Sequence, residues 1–248
     1  LSGAVTVGQV QLADGQGKQF LQVERIHTVL KDVRPLERMV HLESVTVNAP
    51  DIAASRSSSG QLSPIFEASS MAQNAPKKGA PYAVSTGAKG QNDLKKSSPE
   101  APASPWKFAL DKFDLQGGAA TWADSTTVPG AHYRATQAAL EARDLRWPTE
   151  DKPASFEGGL TLLSDTNASV NAKANLKNRP ARLTFKGSGT DTAGDANVSL
   201  SELALGMFAP YSTPYLVPSL AGKLDGQLDV QWKNANVLLR LQRLALAD

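Results

Sequence analysis

The chain contains no cysteine, which excludes disulfide staples, thiolate metal sites and a cysteine nucleophile. No stretch of about 18 consecutive apolar residues occurs, so nothing reads as a membrane-spanning helix. Histidine is scarce. His27 and His41 fall in neighbouring strand candidates and His132 stands apart; no third ligand accompanies them at metal spacing, so no metal site is expected. Catalytic signatures are missing too. KGSGT lacks a full G-x-S-x-G frame, and no His or Asp is placed to complete a triad. DTAGD is followed by Ala196 where a calcium loop has its sixth-position glycine, and reads as a hairpin turn. Neither catalytic residues nor cofactors are expected.

Charge of one sign is not in excess either. Residues 1–71 carry six Lys/Arg against seven Asp/Glu, and residues 106–248 carry fifteen of each. The surplus behind the net charge of +2 sits between them, so the basic footprint of a nucleic-acid binder is missing. Aromatics amount to only 6%. Residues 72–105 are rich in Pro, Ser, Ala, Gly and Lys with hardly a large apolar side chain. They cannot bury enough surface to offset the entropy of ordering them, and read as a disordered linker.

What the chain does have is alternation. In LAGKLDGQLDVQW (residues 220–232), Leu220, Leu224, Leu228, Val230 and Trp232 share one parity with Gly222 and Gly226, while lysine, aspartate and glutamine hold the other. Phe156, Gly158, Leu160 and Leu162 repeat the pattern, as do Leu183, Phe185 and Gly187. Successive strand side chains point to opposite faces, so each segment predicts a ribbon with one apolar and one wet side. The glycines leave gaps on the apolar side where a backbone or a ligand tail could approach. Such segments, among them WKFALDKFDL (106–115), AATWADS (119–125) and ASVNAKANL (168–176), follow one another from residue 106 to 248 with turn signals between them, which predicts an antiparallel meander.

Residues 1–71 show similar runs. Val5 and Val7 share one parity and Val10 and Leu12 the other, so a bulge near Gly8 is expected. DVRPLERM predicts a helical turn with Pro35 near its start, and GQLSPIFEASSM a short amphipathic helix presenting Leu62, Ile65, Phe66 and Met71. Another short helix is expected after Ser212 or Thr213 as N-cap, ahead of Pro214, with Tyr211 and Tyr215 packing it on the sheet end. The fold class is therefore mainly β. Residues 1–71 and 106–248 are expected to share one sheet, and both ends read as cut from a longer chain. A one-sided apolar sheet can pair with a second sheet, close into a barrel or curl into a trough.

Three segments carry a family resemblance. VGQVQLADGQGKQFLQVERIHTVLKDVRPLERMVHLESVTVNAPDI resembles the opening unit of AsmA-like proteins, and SRSSSGQLSPIFE its step into a helix, with Ser63 where Asn is more usual. FALDKFDLQGGAATWADST is similar to an element of the branch known as a domain of unknown function, through Leu115, Gly117, Gly118, Trp122 and Asp124. ELALGMFAPYSTPYLVPSLAGKLDGQLDVQW resembles that branch's most recognisable motif through Leu205, Pro210, Tyr211, Tyr215, Leu216, Gly222, Leu224 and Leu228, with Pro218 departing from it. The resemblance implies a repeating, taco-like β-groove: a long curled antiparallel sheet in the periplasm of a Gram-negative bacterium, anchored in the inner membrane by a segment outside this sequence. It implies a non-enzymatic role in lipid transport and outer membrane biogenesis, with phospholipid acyl chains as partners. Phe156, Leu160, Leu162, Leu183, Phe185, Leu220, Leu224, Leu228, Val230 and Trp232 are the expected lining. The alternative is an envelope scaffold or assembly factor whose apolar face is covered by a protein, another envelope protein pairing at a sheet edge.

Overall fold

The computed structural model describes residues 2–64, 105–149, 152–164, 180–215 and 221–247. Outside them lie the expected linker but for Pro105, most of the helix expected over 60–71, the strand expected over 168–176, and Leu216, Pro218 and Leu220. The strands are β1 (Gly3–Ala13), β2 (Gln19–Arg34), β3 (Met39–Asn48), β4 (Asp51–Arg56), β5 (Leu62–Ser63) and β6 (Lys107–Asp124). After them come β7 (Ala131–Trp147), β8 (Ala154–Ser164), β9 (Ala181–Gly189), β10 (Ala193–Ala204), β11 (Lys223–Lys233) and β12 (Asn236–Ala247). All belong to one sheet in the order β12-β11-β10-β9-β8-β7-β6-β3-β2-β4-β5, with β1 beside β2. The protein is thus mainly β, and strands from both sides of the 65–104 segment share the sheet.

An all-antiparallel sheet is the sequence expectation, and one place departs from it. β3 and β4 lie in line along the 18-residue β6, and both pair with it in parallel. Parallel neighbours need a long crossover, and the forty-odd residues between β5 and β6 supply the chain length for one. Sequence also reads β6 as two runs, residues 106–115 and 119–125. It is a single strand in which Gly117 takes φ +66°.

Turn chemistry follows the residues. Asp14 accepts the backbone N–H groups of Gln16 and Lys18 at 2.9 Å each, and Gly17 supplies φ +80°. Pro35 opens a 3-10 turn, Pro35–Glu37, as expected. The hairpin expected at DTAGD closes through Thr190 N–H to Ala193 O at 2.7 Å. Two helix expectations need correction. Leu62 lies in β5. The later helix is a 3-10 turn, Leu205–Phe208, running into Ala209–Ser212, so it ends where it was expected to begin. Pro210 fits its first turn, where no N–H partner is needed.

The parity switch in β1 has a different cause from a simple bulge. Gln9, not Gly8, takes φ +54°, and the pairing with β2 runs on without a shift from Gly8–Arg25 to Val10–Val23. The same line across the sheet holds Ala49 at φ +46°, Gly117 and, in β7, Gln137 at φ +53°. Left-handed residues thus recur near one line, in β1, just after β3, in β6 and in β7. A left-handed residue rotates its strand locally; repeated in neighbours, it makes a transverse crease.

Among the described residues the buried apolar core is small: Val23, Ala131, Ala142, Ala181, Leu203 and Met207. Its one cluster, Ala181, Leu203 and Met207, sits beneath residues 205–212, with Tyr133, Leu162, Leu200 and Leu224 against it.

Candidate functional site

Register places the apolar residues in rows that cross the strands. One row runs Val7–Ile26–Val47–Leu115–Leu140–Gly158–Phe185–Val198–Leu228–Leu241, each residue opposite the next. Ten strands at about 4.8 Å spacing make this track roughly 43 Å long. A second row, Val5–Thr28–Val45–Phe113–Ala142–Phe156–Gly187–Ala196–Val230–Leu239, lies alongside. Between them on the opposite face runs Thr6–His27–Thr46–Asp114–Glu141–Glu157–Lys186–Asn197–Asp229–Arg240. That row includes the ion pair Lys186–Glu157 at 3.1 Å and a hydrogen bond from Asn197 to Asp229 at 2.7 Å. One face is a wet ladder of charges and the other an apolar track.

The track is smoothed by aromatic rings lying over glycines. A Cβ on Gly187 would come within 2.7 Å of the Phe156 ring, and one on Gly158 within 2.7 Å of Phe185. The two rings stand 6.3 Å apart. Trp232 covers Gly189 and Gly194 in the same way, and its Nε1–H donates to Thr190 O at 3.0 Å. Ring surface replaces the pits that bare glycines would leave. Of the two expected gaps, Gly226 remains open, with nothing nearer than 3.7 Å to an added Cβ. Gly222 precedes β11 in a left-handed turn at φ +96°.

The expected lining residues divide. Phe156, Leu160, Leu183, Phe185, Leu228, Val230 and Trp232 are each half-buried on this face. Leu162 and Leu224 pack against the core cluster under residues 205–212, so they belong as much to that end's packing as to the track. Leu220 lies outside the described residues. The track reaches the sheet edge in β12, where Val237, Leu239, Leu241, Leu244 and Leu246 are all more than half exposed.

One end of the strands is closed by a polar latch that sequence reasoning missed. Asp124, at the end of β6, is 1% exposed. Arg56 donates to it through Nε at 3.0 Å and also through Nη2. Thr126 donates its N–H and Oγ1–H to Oδ1 at 2.9 and 2.7 Å. Tyr211 Oη–H, from the 205–212 segment, donates to Oδ2 at 2.8 Å. The Arg56 guanidinium, with Thr126 and Tyr211, outweighs the opposing effect of burial and holds the carboxyl well below the usual range. Tyr133 completes the latch, donating to Met207 O at 2.7 Å with its ring 6.3 Å from that of Tyr211. Burial, with the nearby Tyr211 and Asp124, pushes the Tyr133 phenol up to about 12. Tyr211 thus anchors the segment as expected, whereas Tyr215 is 85% exposed. The run D-S-T-T after a strand was a local sign of a carboxylate capping its own turn. Arg56 is 68 residues away and left no such sign.

The histidines do not meet. His27 hydrogen-bonds Thr6, and His41 contacts Asp111, each at 2.8 Å. No group of residues suited to a metal ion occurs among the described residues, and no helix there is long and apolar enough to cross a membrane. No known protein-family model and no curated protein matches the chain.

Proposed function

We propose that this chain is a segment of an AsmA-like cell-envelope protein that holds or conducts phospholipid, with acyl chains lying on the apolar track. One observation carries the reading: the ten-strand apolar row, half-exposed along its length, has no covering layer among the described residues except at the latched end. A sandwich or a filled barrel would bury that row. Contact with acyl chains is worth about 0.8 kcal/mol per CH₂ removed from water, so a smooth track gives useful affinity without a shaped pocket. Because the track crosses the strands, a chain could move along it from β12 to β1 while meeting the same chemistry at every step. What supports a periplasmic, inner-membrane-anchored setting is the resemblance to AsmA-like proteins. Neither the track nor the latch calls for a catalytic group.

The scaffold reading is favoured by β12. Its row of exposed leucines, on a strand whose outer edge pairs with no other described strand, is a template for another strand, so a protein could cover part of the face from that edge.

Native mass spectrometry of the chain purified without detergent, followed by lipid extraction, separates the two. The track predicts co-purifying phospholipid that disappears in Leu228→Asp while the far-UV circular dichroism is unchanged. A folded chain that takes up no radiolabelled phospholipid would leave only the scaffold.

A further inference from the structure

The strand ends opposite the latch hold a cleft of about 610 Å³ between the turns after β7 and β9, lined by Trp147, Pro148, Thr149, Pro153 and residues 190–193. We propose that this cleft seats the ammonium group of a zwitterionic lipid headgroup, an inference that rests on the lipid-track reading. Three observations point to a cation. Among the described residues, the only charged side chain lining the cleft is Asp191. Its Oδ1 accepts from Thr149 Oγ1, which joins the two turns, while Oδ2 has no partner among the described residues. Trp147 is 60% exposed, leaving its ring available to a cation, as in aromatic recognition of alkylammonium groups. Pro148 and Pro153 add apolar wall for the methylenes or methyls that an ammonium carries. An anionic headgroup would instead meet the Asp191 carboxylate, with no lining cation among the described residues to offset it.

The cleft also stands in the right place. Trp147 pairs with Phe108 in line with the apolar side of β6 and β7. Trp232, on the track, hydrogen-bonds the carbonyl of Thr190 at the cleft wall. A lipid whose tails lie on the track can therefore place its head in the cleft at the border of the apolar face. The track alone does not discriminate between headgroups; the cleft would. A second cleft, of about 490 Å³, is bordered by strand positions of the first row, Leu115, Leu140 and Phe185, but its charged lining mixes signs, Lys186 with Asp114, Glu141 and Glu157, and so does not single out a cation.

The test is a competition. The chain is incubated with vesicles of equal parts ethanolamine and glycerol phospholipid, and the bound lipid is extracted and weighed by class. A partly exposed cation–π contact predicts ethanolamine enrichment of about two- to fivefold. Asp191→Asn and Trp147→Leu should return the ratio to that of the vesicles with total lipid per chain unchanged. Enrichment that survives both variants, or no enrichment, overturns the cleft and leaves the track standing. A second readout does not need lipid: titration with tetramethylammonium, followed by the indole N–H signals of the four tryptophans. The signal missing in Trp147→Leu should shift in the wild type and in Leu228→Asp, and not in Asp191→Asn. If no vesicle lipid binds at all, the track reading fails, and this titration still decides the cleft: a Trp147 signal that does not move overturns it.

Discussion

The latched end and the open track invert each other. At the latch, the largest fully buried side chains of the described residues are Asp124 and Pro210, and a carboxylate is completely enclosed by hydrogen bonds. Along the track, Phe156, Phe185, Leu228 and Val230 stay half in water. An ordinary domain does the reverse, with aliphatics inside and carboxylates outside. The difference separates two tasks. A buried charge network fixes one geometry because no alternative satisfies it, so it can hold residues 205–212 over the strand ends without much apolar surface. The track can then leave its apolar area for something other than the protein's own packing.

That division predicts unequal responses to mutation. Asp124→Ala should have a large effect, about 2–4 kcal/mol in urea unfolding, because it removes the enclosed acceptor shared by Arg56, Thr126 and Tyr211, although the Arg56 side chain, 37% exposed, can turn to water. Leu203→Ala, in the small cluster under the cap, should cost about 2–5 kcal/mol. Leu228→Ala, a leucine of the same size on the open track, should cost well under half as much. Similar losses at the two leucines would show that the track is core after all, and the comparison would collapse.

Acid should find the latch before the track. The folded Asp124 carboxyl lies below its unfolded value of about 4, so its interactions stabilise the native state above that pH and are lost as pH falls through the folded value. Asp111 acts in the same direction: burial pushes its carboxyl up, but hydrogen bonds from Lys31, His41 and Arg146 outweigh this. The urea midpoint should stay level from pH 7 to 5 and fall below pH 4, with a shallower fall in Asp124→Asn. Tyr211→Phe removes one donor to Asp124 and should cost about 1–2 kcal/mol. It should also raise proteolysis within residues 205–215 while binding on the track persists.

Much of this contrast was legible in the sequence, and the unread part has a common cause. Period-two alternation marked the apolar face in β8, β9 and β11 because strand geometry converts parity directly into facing. Pro35 marked its turn because the needed conformation is local. What failed was non-local. The parallel pairing of β6 with β3 and β4 depends on a crossover that no residue pattern encodes. The Arg56–Asp124 pair forms only once β4 lies along β6. The 205–212 segment was misplaced because Ser212, Thr213 and Pro214 offered a good local start. The actual helix begins at Ala209 with no side-chain cap, held instead by the distant Asp124 and Tyr133. The transverse crease lay between the two. Its parity switch in β1 was visible, but not that Gln9 would make it without a register shift against β2.

The smallest expected effect is the most informative about the track. An added Cβ on Gly187 would meet Asp195 O at 2.3 Å and the Phe156 ring at 2.7 Å, so Gly187→Ala must displace backbone or ring and destabilise the sheet. At Gly226 the nearest atoms are Arg243 O at 3.7 Å and Leu244 Cδ1 at 3.8 Å, and Gly226→Ala should leave stability within about 0.5 kcal/mol. The two glycines look alike in sequence, both set among alternating apolar residues. If Gly187 is glycine to admit a ring and Gly226 is glycine to leave room on the track, then Gly226→Phe should keep the urea midpoint of Gly226→Ala while reducing the lipid that co-purifies. A Gly226→Phe chain that binds as much lipid as the wild type would mean that the opening at Gly226 serves no occupant, and the track would have to hold its chains nearer Phe156 and Phe185.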